Sequence, residues 1–226
     1  MDLTQAATHA PARGRGASSP AHTLRLVAAP AVITLAITLL RLTGELRGWA
    51  PAWFGADPGG GAAVVGISWL IPLFGAWFGW RLARAGARPA STARAILLPL
   101  AGLVLVAGTF YFVVTVAGTT TLGFAITLTA LPLCSLLALP AWPALWRTNL
   151  AYGLAARLAV VAVTVVAVSQ GWNTHYEKLA PGSPAVSDAA RTAILAGAQI
   201  GIWVPLTILL GGLTGGIAAG LARRPR

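Results

Sequence analysis

Between Arg94 and Arg147 the chain runs 52 residues without a charged side chain. As one helix that run would be about 78 Å long, while the hydrocarbon core of a bilayer is about 30 Å thick. It therefore predicts two membrane crossings. The break falls at Gly118-Thr119-Thr120-Thr121-Leu122-Gly123, where glycine and threonine replace the leucine and valine on either side. Only 9% of the 226 residues are charged and 57% are apolar. A soluble domain needs about a quarter charged residues to wet its surface, so the whole chain reads as an all-α, polytopic membrane bundle.

Six spans are predicted, at about 26–43, 62–82, 95–116, 122–139, 150–170 and 194–221, forming one domain over 25–222. Residues 1–24 are Ala, Gly, Ser, Thr and Pro with Arg13 and Arg15, the composition of a disordered basic tail. Residues 223–226 form a second short basic tail. Pro72, Pro132 and Pro205 fall inside spans and predict kinks. No small-x-small cleavage site follows Leu40, so the first apolar run reads as an uncleaved span.

Orientation follows from the basic residues in alternate loops. Arg13, Arg15, Arg25, Arg81, Arg84, Arg88, Arg94, Arg147, Arg223, Arg224 and Arg226 fall on one side, and Arg41, Arg47, Lys178 and Arg191 on the other. The richer side is the cytoplasm, which places both termini there. Trp49, Trp53, Trp172 and Tyr176 at one boundary, with Trp80, Trp142 and Trp146 at the other, match aromatic belts. The net charge of +11 would suggest nucleic acid in a soluble protein. Here the charges sit at span ends, so membrane lipid is the expected partner and nucleic acid is not. Abundant Arg, Ala and Gly point to a GC-rich bacterial genome and hence to the bacterial inner membrane, a correlation rather than a physical argument.

Helix association in lipid depends on close approach through small residues. Gly75 and Gly79 in the second span and Gly212, Gly216 and Gly220 in the sixth have that spacing. They serve packing within one chain, or alternatively a homodimer or membrane-complex face. Cys134 is the single cysteine and reads as a small apolar filler.

No metal or cofactor is expected. The histidines are His9, His22 and His175, and no span carries a His or Glu pair at ligand spacing. No serine in a span has a base at its depth, and Gly59-Gly60-Gly61 lacks the lysine of a phosphate-binding loop. No catalytic set is present, so the chain is not expected to be an enzyme.

Four polar features remain. Arg41 and Glu45 are spaced i, i+4 at the outer end of the first span, as an interfacial ion pair or the lining of an outer vestibule. Arg157 is the charge set inside a span, about 10–12 Å from the start of the fifth. It is expected to snorkel to the inner headgroups; facing the bundle instead, it would make an anion or lipid-headgroup site. Gln199, Trp203 and Thr207 form a polar stripe that bonds a neighbouring helix or lines a pore. Trp172, His175, Tyr176 and Glu177 form an outer-loop patch, read as a loop anchored on the membrane surface or as a recognition patch in which His175 senses pH.

The first functional expectation is therefore a non-catalytic accessory, assembly or structural membrane subunit. The alternative is a small transporter or channel for an anionic or small neutral solute, and a lipid-acting membrane enzyme is third. Whether Arg157 and Gln199 share a water-accessible cavity separates the first two.

Overall fold

A computed structural model describes residues 20–60, 63–118 and 120–222. Among these the regular elements are all helices, without strands. Helix α1 spans Pro20–Leu46, a single turn α2 Pro51–Phe54, α3 Leu70–Arg84 and α4 Thr92–Phe112. A π-helical turn, Val113–Ala117, extends α4. Then come α5 at Thr121–Ser135, a short α6 at Ala138–Ala141, and α7 at Pro143–Gln170. Finally α8, Asp188–Ala198, passes through a second π turn, Gln199–Trp203, into α9, Val204–Leu221. Five helical stretches are long and apolar enough to cross a membrane: 20–46, 92–117, 121–141, 143–170 and 188–221. This is the pattern of a multi-pass membrane protein.

The predicted break in the long uncharged run is present. Gly118 adopts φ +65° between the two helices, and Thr120 caps α5 by accepting a hydrogen bond from the Gly123 amide at 3.1 Å. Large apolar side chains of this hairpin face outward, with Val114 78% exposed. A soluble protein could not tolerate such a surface, whereas lipid solvates it.

Several boundaries differ from expectation, among them the last span, which begins at Asp188 rather than 194. The basic tail 223–226 lies wholly outside the described residues, as do residues 1–19 of the expected tail over 1–24. Its last five residues, Pro20–Leu24, are already helical, because proline is favoured in a helix's first turn. The fifth span begins at Pro143, seven residues earlier than its apolar core suggests, with proline again in the first turn. The second span, expected over 62–82, is a 15-residue helix starting at Leu70. Its first turns are missing because Arg41 holds the preceding loop: its Nη2 donates to the Gly55 and Gly60 carbonyls at 3.0 and 2.7 Å. A side chain at Gly60 or Gly66 would press on that guanidinium. Pro72 therefore sits in the first turn of α3 rather than at a kink, and Pro205 falls just after a π turn.

The glycines interlock within the chain. A Cβ at Gly75 would overlap the backbone of Gly211, and one at Gly79 the backbone of Gly215. Across the other face of α9, Gly216 lies against the Ala95 carbonyl, Gly212 against Pro99 and Gly220 against Thr92. Both faces of the α9 glycine stripe are thus occupied, by α3 and by α4. Around this contact Phe74 and Phe78 pack edge-on to Tyr152, with ring centroids 5.4 and 5.5 Å away. That aromatic knot belongs to a core cluster that continues through Leu82, Trp142 and Leu145 toward the α3–α4 loop. The tryptophans divide: Trp49, Trp53 and Trp80 are exposed, but Trp142 is buried and donates to the Ala87 carbonyl at 2.9 Å. It locks α7 to the α3–α4 loop rather than joining an aromatic belt.

Candidate functional site: a cavity around Arg157

Helix α1 presents Thr34, Thr38, Arg41 and Glu45 on one stripe, and all four are buried. This inverts the usual amphipathic logic, since the polar face turns into the bundle and the apolar face outward. The hydroxyls of Thr34 and Thr38 donate to the carbonyls four residues back, at 2.8 and 2.9 Å. Thr34 also meets the Tyr152 hydroxyl at 2.9 Å, joining α1 to α7.

At the end of the stripe, Glu45 collects three partners. Arg41 Nε donates to it at 2.7 Å, the His175 backbone amide at 2.8 Å, and His175 Nδ1 contacts it at 2.5 Å. Neutral imidazole with its proton on Nδ1 satisfies that contact. Burial pushes the His175 imidazole below its ordinary pKa and outweighs the opposing pull of the Glu45 hydrogen bond and charge; Arg41 and Lys178 add to the lowering. Tyr176 packs on the imidazole and donates to the Thr38 carbonyl at 3.2 Å. Burial and the nearby Glu45 push its phenol well above the usual range. Lys178 fastens the loop to the Ala56 carbonyl at 2.8 Å.

The expected vestibule pair and the loop patch are therefore one network. The loop does not lie on a surface by its aromatics: Tyr176 is buried and packs with Val160, Ala167 and Trp172. Glu177 departs from the group, turning to a shallower recess shared with Arg191, where burial raises its carboxyl above the usual range.

Beneath this loop lies a cavity of about 640 Å³. It is walled by α1, the irregular segment Gly66–Ser68, the α4–α5 hairpin, α7 and the α8–α9 π turn. Arg157 projects into it. Because α7 begins at Pro143, Arg157 lies about 21 Å from the start of that helix, mid-length, rather than near one end. The expected snorkelling is consequently out of reach, and the residue is only 4% exposed. Its Nη1 donates to Gln199 Oε1 at 3.3 Å, and its guanidinium carbon lies 4.6 Å from the Trp203 ring centroid. Its Nε is enclosed and has no hydrogen-bond partner among the described residues. Neither contact neutralises the charge, and among the described residues no carboxylate pairs with it.

The π turn Gln199–Trp203 supplies both contacts. Such turns insert an extra residue into a helix and are frequent at functional sites. Thr207, the third member of the expected stripe, does not reach the cavity; its hydroxyl donates to the Trp203 carbonyl at 2.8 Å and its methyl faces Gly153. Sequence reading missed Thr38, Thr127, Thr164 and Lys178 as lining residues. A signal did exist for Thr38: threonines at 34 and 38 continue the face of Arg41 and Glu45. For Thr127 and Thr164 there was none, since isolated threonines are common in membrane helices. Comparison of the chain with protein-family models, with curated proteins and with solved structures found no match.

Proposed function

We propose that this chain is a six-span protein of the bacterial inner membrane that takes an anionic solute into the Arg157 cavity from the outer side, as a small transporter or channel. The observation that carries this reading is Arg157: a guanidinium buried at mid-helix, with no counter-charge, facing open volume. Ionisable residues inside a membrane are costly and mark ligand or ion paths. An accessory or structural subunit has no use for such a charge, which ranks that reading second. The glycine-locked α3–α9 contact suits a scaffold equally well, so packing does not separate the two. A lipid-acting enzyme ranks third, because among the described residues His175 and Lys178 bond Glu45 and the Ala56 carbonyl rather than the cavity's Ser68 or Ser183.

The six-span count includes α3, about 22 Å long and shorter than the bilayer core. Its lead-in fits a crossing. Irregular backbone is tolerated at membrane depth where it lines a cavity, and Gly66–Ser68 does so. The arginine asymmetry places the termini in the cytoplasm and the Glu45 end outside. Alkaline phosphatase fused after Pro181 is expected to be active, and fused after Arg226 inactive. The reverse pattern overturns the orientation.

In this orientation the loop side of the cavity, lined by Lys178, Pro181 and Pro184, faces outward, and the core cluster that holds Phe74, Phe78 and Tyr152 continues toward the cytoplasmic side through Leu82, Trp142 and Leu145. The π turn before Pro205 is where α8 would swing against the glycine-anchored α9 to release the solute inward.

The anion reading is tested by calorimetry on the full chain in phosphatidylcholine nanodiscs, comparing pentanoate with pentanamide. Hydrogen bonds to a charged group contribute about 1.5–3 kcal/mol, so the carboxylate should bind roughly 10- to 100-fold tighter than its neutral isostere. Equal affinity, or no binding of either, removes the reading.

A further inference from the structure

The polar groups that line the Arg157 cavity differ in what they can offer a ligand, and this bears on what kind of anion fits. Arg41 lines the wall but is neutralised by Glu45 and two backbone carbonyls. Thr38 and Thr127 donate to carbonyls of their own helices, at 2.9 Å each. Lys178 lies at the loop side and donates to the Ala56 carbonyl, so Arg157 with Gln199 remains as the polar pole at mid-helix depth. The rest of the wall is built largely from apolar side chains of five different elements, among them Ile37, Phe110, Phe124, Val160, Ile194 and Ile202.

Size points the same way. A volume of about 640 Å³ corresponds to about 20 liquid waters, many times what one carboxylate or phosphate group fills. A small inorganic anion at Arg157 would leave most of an apolar cavity empty or filled with poorly bonded water. The guanidinium lines the cavity. Trp203 packs against it at 4.6 Å and Arg157 Nη1 bonds Gln199 Oε1, so a head at this pole meets both side chains.

We propose that the ligand is a single-chain amphiphilic anion: a head with two acceptor oxygens, carboxylate or phosphate, on Arg157 and Gln199, and an alkyl tail along the apolar wall. The proposal rests on the anion reading above and narrows it. The loop side suits such a molecule, since the Lys178 ammonium has no carboxylate partner among the described residues and attracts the head during approach, while the apolar wall receives the tail.

The test is a chain-length series. Straight-chain carboxylates of four to ten carbons are titrated against the full chain in phosphatidylcholine nanodiscs, with alkyl-trimethylammonium ions of matching length as controls. Each methylene that enters an apolar site should tighten binding about fourfold, until the cavity is full. The expected result is a stepwise rise over several carbons that the ammonium series does not share and that Arg157→Met abolishes. Carboxylates that bind equally at every length overturn the amphiphile proposal and leave the anion reading standing. A rise shared by the ammonium ions and by the Arg157→Met protein is partition into lipid and overturns both. Failure of every carboxylate to bind sinks the anion reading itself.

Native mass spectrometry of protein purified without added ligand then separates the sources. A single-chain acyl anion carried through purification marks the bilayer as the supply, and binding only on addition marks the aqueous side; either supports the proposal. A two-chain phospholipid held at Arg157 overturns it.

Discussion

Arg157→Met is expected to raise the thermal stability of the ligand-free protein while abolishing anion binding. The two effects have opposite signs because the guanidinium is costly in the empty cavity and useful only when filled. Taking an ion out of water costs several kcal/mol after relaxation. The compensation visible here is one long hydrogen bond to a neutral amide at 3.3 Å and a ring contact at 4.6 Å. A cation over a tryptophan contributes about 0.5–2 kcal/mol, which does not cover that cost. Methionine fills similar space without the charge, and apolar replacement of buried ionic groups is often stabilising by about 1–4 kcal/mol. For a chain of this length each kcal/mol moves the midpoint by about 2–4 °C. Thermal unfolding in nanodiscs, with and without pentanoate, reads both effects at once. A methionine protein less stable than the wild type would make the guanidinium a structural element and remove the main support for a ligand site. Arg157→Lys should fall between, keeping the charge but weakening binding about tenfold or more, because an ammonium lacks the planar two-pronged donor set.

Gly79→Leu is expected to be among the most damaging single changes in the chain. A Cβ there would overlap the carbonyl and Cα of Gly215, backbone atoms that no rotamer change can move aside. Helices α3 and α9 would have to separate along their whole glycine contact, where close approach is the main source of attraction in lipid. Overpacking a side-chain core costs about 1–3 kcal/mol, and a backbone clash belongs at or above the top of that range. Gly79→Ala provides a milder version should the leucine protein fail to accumulate. Gly108→Leu is the control: it lies on an outward face of α4 with no atom near its Cβ, and leucine is the better helix former. The control should match the wild type in thermal unfolding. If Gly79→Ala and Gly108→Leu unfold together with the wild type, the α3–α9 interlock does not hold the fold together.

Several elements were legible because they depend on local chemistry. The turn at Gly118–Leu122 could be read from glycine and threonine interrupting leucine and valine. The residues able to carry a site, Arg41, Glu45, Arg157, Gln199 and Trp203, stood out because polar groups are rare in these spans. Their partners were not legible. His175 is 130 residues from Glu45, and Arg157 is 42 residues from Gln199. The start of α3 was misread for a related reason: Val64, Val65 and Ile67 are apolar enough for a helix, but Arg41 claims the nearby loop carbonyls from another element.

By itself the sequence determined that most of this chain leaves water and does so as helices, because apolar content and the need to satisfy backbone groups internally leave no other form. It also determined which residues resist that transfer. Only the tertiary structure decided which way those residues turn. Hydropathy reports the cost of burying a group, whereas its orientation depends on neighbours from distant segments. Seven residues added to the start of α7 carry Arg157 from snorkelling range to mid-helix, and one π turn in another helix sets Gln199 and Trp203 beside it.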